Sequence, residues 1–171
     1  SLHDALPILS HMDIQWFVSN CSEVNRVITF ITKSVLDELQ EIYPCLAQQP
    51  VATLPDALSR IKDKTGQKFV IIIDEWDVLI RDESANKKVQ ADYINFLRGM
   101  FKGTEPTKYI QLAYLTGILP IRKEKTQSAL NNFDEITMLQ AGRLAPYIGF
   151  TEEEVKQLCE NYHQDYKKVK K

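Results

Sequence analysis

Phe69-Val70-Ile71-Ile72-Ile73-Asp74-Glu75-Trp76-Asp77 decides how the rest of the chain is read. Five apolar residues follow one another without polar alternation. That pattern predicts a strand buried on both faces, as in a parallel sheet covered by helices. The strand ends on two adjacent carboxylates, Asp74 and Glu75, with Asp77 close behind. Just upstream, Thr53 and Asp56 with Pro55 between them predict a helix start, and Ala57, Leu58 and Ile61 supply its inward stripe. Gly66 stands where that helix should be capped. Further back, Val24, Val27, Ile28, Ile31, Val35, Leu39 and Ile42 recur at helical spacing between a capping Ser22 and Pro44. Ile14–Val18 (IQWFV) is short, apolar and rich in strand formers, and predicts the first strand.

Downstream, Asn86–Lys102 places Val89, Tyr93, Phe96, Leu97, Met100 and Phe101 on one side of a helix that Gly103 and Pro106 end. Tyr109–Leu115 (YIQLAYL) predicts a third strand, Ala129–Phe133 a short helix and Ile136–Leu139 a short fourth strand. Thr151 with Glu154 is a capping box for a last helix, with Val155, Leu158, Cys159 and Tyr162 inward. This alternation predicts an α/β fold: a three-layer parallel sheet with helices on both faces.

Composition narrows the function classes. The 171 residues are 44% hydrophobic and 26% charged, enough for one domain with a core and a solvated surface. A formal net charge of -2 gives no bulk electrostatic case for nucleic acid. The basic tail, Lys167, Lys168, Lys170 and Lys171, reads as a solvated helix end. Cys21, Cys45 and Cys159 are odd in number and form no C-x-x-C, which points away from a disulfide framework or zinc site and toward a reducing, cytoplasmic setting. No run approaches the roughly 18–20 apolar residues of a membrane span. Ser1–Ser10 lacks the basic start of a signal peptide.

The chemistry concentrates at Asp74 and Glu75. Ligands of open α/β sheets bind beyond the C-terminal ends of the strands, where this pair would stand. Adjacent carboxylates at a strand tip point in different directions and can do different jobs. This is the pattern of a Walker B strand: Asp74 holding magnesium, usually through water, and Glu75 orienting and deprotonating the attacking water. The alternative is that the two acids only end a strand and begin a turn, with Asp77 capping that turn. The next strand ends Tyr114-Leu115-Thr116-Gly117, so Thr116 would lie beside the acidic pair if the strands are neighbours. Thr116 is either a sensor of the γ-phosphate or a turn cap. Arg122 and Arg143 are either phosphate contacts or exposed surface. None of the six glycines belongs to a G-x-x-x-x-G-K-[ST] loop, whose backbone N–H groups and lysine cradle phosphates.

Several stretches resemble the bacterial AAA-ATPase-like family: Thr53–Leu58 (TLPDAL), Phe69–Asp77 (FVIIIDEWD), Tyr93–Gly99 (YINFLRG) and Leu112–Ile121 (LAYLTGILPI), continued by Gln127–Phe133 (QSALNNF) and Gly149–Glu154 (GFTEEE). The resemblance runs from about Asp13 to the end, leaving residues 1–12 as an unmatched leader and 13–171 as a partial domain. It implies a P-loop NTPase-like fold with ATP and Mg2+ as ligands, Asp74 at the metal, Glu75 at the water and Thr116 at the sensor position. It also implies a phosphate loop upstream of Asp13 and, in many members, a nuclease-like domain after the ATPase. The chain is therefore expected to be a fragment without its phosphate-loop strand and helix, binding nucleotide weakly.

Two other functions compete: a non-enzymatic α/β interaction module that keeps the acidic tip as scaffold, and a magnesium-dependent phosphotransfer or receiver-like domain using Asp74 and Asp77, which is weakened because the strand ending at Leu115 offers Thr116 where a receiver needs an acceptor aspartate. Without the feeding strand, Ile14–Val18, Phe69–Ile73 and Tyr109–Leu115 should pair in that order, all parallel. Ile136–Leu139 should stay unpaired or cross to Tyr109–Leu115. The strand before Thr116 would then be an edge or nearly one, which invites self-association.

Overall fold

The computed structural model describes residues 6–82, 85–120, 130–137, 140–147 and 149–169. The chain divides into two units, Ser1–Phe133 and Asp134–Lys171. The first runs β1 (Ile8–Asp13), α1 (Ile14–Asn20), α2 (Val27–Ile42), α3 (Leu54–Thr65), β2 (Phe69–Asp74), α4 (Val78–Arg81), α5 (Lys87–Phe101), α6 (Pro106–Tyr109) and β3 (Ile110–Leu115). The three strands form one parallel sheet in the order β1-β2-β3. The expected order and direction hold, with one change in which residues make the first strand.

Ile14–Val18 is not that strand; it begins α1. The Asp13 carboxylate accepts the Trp16 amide at 3.0 Å and caps the helix. Ile14 and Phe17, three residues apart, are buried, while Gln15 and Trp16 face out. The strand is the segment just before, with Ile8 opposite Phe69 and Asp13 opposite Asp74. Residues 8–12, set apart above as a leader, are therefore part of the sheet.

Parallel neighbours place paired side chains on the same face. Phe69, Ile71 and Ile73 are buried, and Met12, Ala113 and Leu115 lie beside them. On that face they join one apolar cluster with Val27, Ile31 and Leu39 of α2, Leu54, Leu58 and Ile61 of α3, and Val89, Tyr93 and Leu97 of α5. Each fully buried aliphatic or aromatic side chain there contributes about 1.5–3 kcal/mol of transfer free energy. The opposite face carries Val70 and Ile72, both half-buried, beside Leu112 and Tyr114, which are 55% and 48% exposed. Among the described residues of this unit, helices cover one face of the sheet. The expected three layers and two buried faces are corrected accordingly: an unbroken apolar run reports residue type, not what packs on it.

Local signals explain most boundaries. The Thr53 hydroxyl accepts the Asp56 amide at 3.4 Å at the start of α3. Gly66 ends that helix at φ 74, donating to the Lys62 carbonyl, in a backbone region that favours glycine. Ser22 does not cap α2; a 3-10 turn at Val24–Arg26 precedes it, and Ile42 is exposed. Pro106–Tyr109 is helical, so β3 begins at Ile110, and a register shift passes over Gln111. Leu130–Phe133 makes a turn, not a helix, and Ala129 lies outside the described residues.

The second unit holds a 3-10 turn at Gly142–Tyr147, α7 (Glu152–Asn161) and α8 (Tyr166–Val169). The Thr151–Glu154 capping box is formed. Cys159 is buried, but Leu158 and Tyr162, expected inward, are exposed. The expected strand Ile136–Leu139 lies partly outside the described residues; Thr137 makes an isolated antiparallel bridge to Gln140.

Candidate functional site

β2 delivers Asp74 to the C-terminal edge of the sheet, and β3 delivers Thr116 beside it. The ladder continues past the strand ends: the Thr116 amide donates to the Ile73 carbonyl at 2.9 Å, and the Trp76 amide to the Thr116 carbonyl at 2.9 Å. The Thr116 hydroxyl donates to Asp74 Oδ1. The Glu75 amide lies 3.1 Å from the same Oδ1 and 3.4 Å from Thr116 Oγ1. The structure thus brings the side chains of Asp74 and Thr116 together with the backbone amide of Glu75.

Glu75 has a φ of 52, in the left-handed region that costs a non-glycine residue about 1 kcal/mol. The turn sends Trp76 into the core and leaves the Glu75 side chain at the surface, where Oε2 accepts Arg81 Nη2 at 2.6 Å.

Asp77 departs from its expected role. Its side chain makes no cap for α4. It is 0% exposed, and its Oδ2 accepts Arg81 Nε at 2.9 Å and the amides of Ile118 and Leu119 at 3.1 and 2.7 Å. Asp77 therefore ties the segment after Thr116 to the turn after β2. Its Oδ1 is buried without a hydrogen-bond partner among the described residues. Gly117 makes this closure possible: a Cβ there would lie 2.6 Å from Trp76 Cδ1 and 2.7 Å from Asp77 Oδ1. Beneath the turn, the buried Tyr93 hydroxyl donates to the Trp76 carbonyl at 2.8 Å. Burial first, and the Asp77 charge second, push the Tyr93 phenol far above its ordinary value, so it remains a donor.

Arg81 was missed in the sequence. The one local signal was its helical spacing of four from Asp77, since Glu75 and Arg81 share no periodicity. Arg122 lies outside the described residues, and Arg143 lies on an exposed turn of the second unit. Among the described residues, no three His, Cys, Asp or Glu side chains group as a metal site. With Asp77 engaged by three donors, the receiver-like arrangement of Asp74 with Asp77 is not formed.

Comparison with known proteins places the chain. The family model described as "Predicted AAA-ATPase" matches residues 3–126. The chain belongs to the AAA-ATPase-like family. The match starts before Asp13, so it includes the first strand, and it stops short of the second unit. A relative named "Uncharacterized protein in vnfD 5'region", from Azotobacter chroococcum mcd 1, is 23% identical over 112 residues, covering 65% of this chain. The aligned part is 21% of that relative's length. No solved structure matches. Among the described residues of this AAA-ATPase-like chain, no helix is long and apolar enough to cross a membrane.

Proposed function

We propose that this chain carries the metal- and water-handling half of an ATP-hydrolysing site. Asp74 is assigned to magnesium, Glu75 to the attacking water and Thr116 to sensing the terminal phosphate. One observation carries the reading. Across the tips of two adjacent parallel strands, the Thr116 hydroxyl donates to Asp74, and the Glu75 amide stands within reach of both oxygens. This is the end of an open α/β sheet where ligands bind.

The residues fit the ion. Magnesium takes oxygen donors and keeps several of its own waters, so one half-buried carboxylate at a strand tip is a suitable protein ligand. Bound with nucleotide, it would neutralise charge on the phosphates. Thr116 holds one Asp74 oxygen in place and keeps the carboxylate oriented. Glu75, beyond the tip, orients a water and takes its proton. Partners in this reading are the nucleotide and, in the same protein, a nuclease-like domain. A cytoplasmic setting fits three free cysteines.

The sequence holds no G-x-x-x-x-G-K-[ST] loop, the source of most phosphate contacts in such sites. Calorimetry on these 171 residues should find only weak ATP–magnesium binding; low-micromolar binding would overturn this. In the protein expressed from its complete reading frame, Glu75→Gln should keep nucleotide binding and lower turnover about 10²–10⁴-fold. Asp74→Asn should move the magnesium dependence to higher concentration. If both variants hydrolyse ATP like the parent, the assignment fails and a non-enzymatic interaction module takes its place.

A further inference from the structure

Arg81 grips two carboxylates of unequal freedom. Its Nε meets Asp77 Oδ2 at 2.9 Å, and its Nη2 meets Glu75 Oε2 at 2.6 Å. Asp77 is 0% exposed and holds two backbone amides with the same oxygen. The Glu75 side chain is 42% exposed. Asp77 is thus the fixed anchor and Glu75 the movable partner. A guanidinium already oriented by one carboxylate gives up less freedom on gripping a second.

We propose that Arg81 is a positioning residue that latches Glu75, and that Asp77 couples this latch to the loop following Thr116. The inference rests on the reading of Glu75 as the group that handles water. While Arg81 holds Oε2, the Glu75 carboxylate is kept in one orientation and one of its acceptor sites is taken, so it is not free to turn toward a water. The vacant acceptor that would open the latch is in the same cluster. Asp77 Oδ1 has no hydrogen-bond partner among the described residues and lies against Gly117. Displacing the 116–119 loop uncovers Oδ1. Arg81 Nη2 can then move from Glu75 to Oδ1, forming a side-on bidentate pair with Asp77 and keeping the guanidinium paired. Glu75 is released as the sensor loop moves.

Two measurements test this. The first is nitrogen-resolved NMR of the arginine side chains in this chain. In the unaltered chain the Arg81 Nη signals should be distinct and slowly exchanging. In Glu75→Gln they should broaden or merge, while the Arg81 Nε–H, still held by Asp77, keeps its protection. Arg81 Nη signals unchanged by Glu75→Gln would overturn the latch, whatever the protein hydrolyses. The second is ATP turnover in the protein expressed from its complete reading frame. Arg81→Gln should raise basal kcat about 2- to 5-fold at unchanged KM, the scale of releasing a partly exposed ion pair. If Glu75→Gln stops turnover but Arg81→Gln leaves or lowers kcat, the latch is wrong and the reading of Glu75 stands. If Glu75→Gln hydrolyses like the parent, the reading of Glu75 itself is wrong.

Discussion

Gly117→Ala is the sharpest perturbation of the site, because the glycine is there for space and not for its backbone angle. It is not among the glycines with positive φ. An added Cβ would stand 2.6 Å from Trp76 Cδ1, 2.7 Å from Trp76 Nε1 and 2.7 Å from Asp77 Oδ1. Neither neighbour can yield cheaply. Trp76 is 2% exposed and its carbonyl is held by Tyr93; Asp77 is fixed by Arg81 and two backbone amides. The loop must move instead, loosening the Ile118 and Leu119 bonds. Overpacking a filled site costs about 1–3 kcal/mol, and three approaches this short put the variant near the top, about 3 kcal/mol. At about 2–4 °C per kcal/mol for a chain of this length, Tm should fall by about 6–12 °C.

The control is the same substitution on α5. Gly99 has nothing within 4 Å of a built Cβ and sits inside a helix. Gly99→Ala should therefore stabilise by about 1 kcal/mol and raise Tm by about 2–4 °C. Circular dichroism melts of the two variants and the parent decide the matter. A Gly117→Ala protein that melts with the parent, or a Gly99→Ala protein that loses as much, would refute the close approach.

Tyr93→Phe should destabilise by about 1–2 kcal/mol in urea, because the buried Trp76 carbonyl loses its donor. The parent should also lose stability as pH rises above the ordinary tyrosine value of about 10, since the unfolded phenol ionises there while the folded one, raised by burial and Asp77, stays protonated; an equal alkaline loss in Tyr93→Phe would contradict this. In the second unit, hydrogen bonds from the Thr151 backbone and hydroxyl lower the Glu154 carboxyl below its ordinary value. That support is present above the unfolded glutamate value and disappears as pH falls through the folded one. Amide exchange in α7 should quicken on acidification, and Thr151→Val should blunt the response. Leu112 and Tyr114 leave an apolar stripe on the β3 edge strand, so the chain should self-associate in sedimentation and Leu112→Lys with Tyr114→Lys should reduce it; a monomer at all concentrations speaks against that edge.

The legible part of the fold was the part set by local pattern. Phe69–Ile73 was legible as a strand, though not as one open on one face, and parallel strands end at the same side of a sheet, so Asp74 and Thr116 were bound to meet once β2 and β3 were neighbours. Ile14–Val18 was misread because so short a run, four apolar residues and Gln15, satisfies either period. The deciding fact was the Asp13 cap; the strand lies just before it, where Ser10 and Met12 turn one way and Leu9 and His11 the other, with no apolar alternation to announce it. The open face beside Val70 and Ile72 was not legible either, since their residue types suit a covered surface.

The acids of Asp74-Glu75-Trp76-Asp77 divide their work by backbone geometry that residue type does not encode. Asp74 follows the strand, so its position could be read. Glu75 turns into the left-handed region, which throws its carboxylate toward Arg81, six residues on, at a spacing that no regular element brings together. Asp77 goes inward because Gly117 lets the neighbouring loop close on it, so its burial depends on a residue forty positions away. A buried carboxylate with three donors on one oxygen and, among the described residues, none on the other is costly to keep as mere scaffold. The asymmetry at Asp77 is what a movable Arg81 requires, and the proposed latch stands on it: a static ion pair would leave Oδ1 without a use.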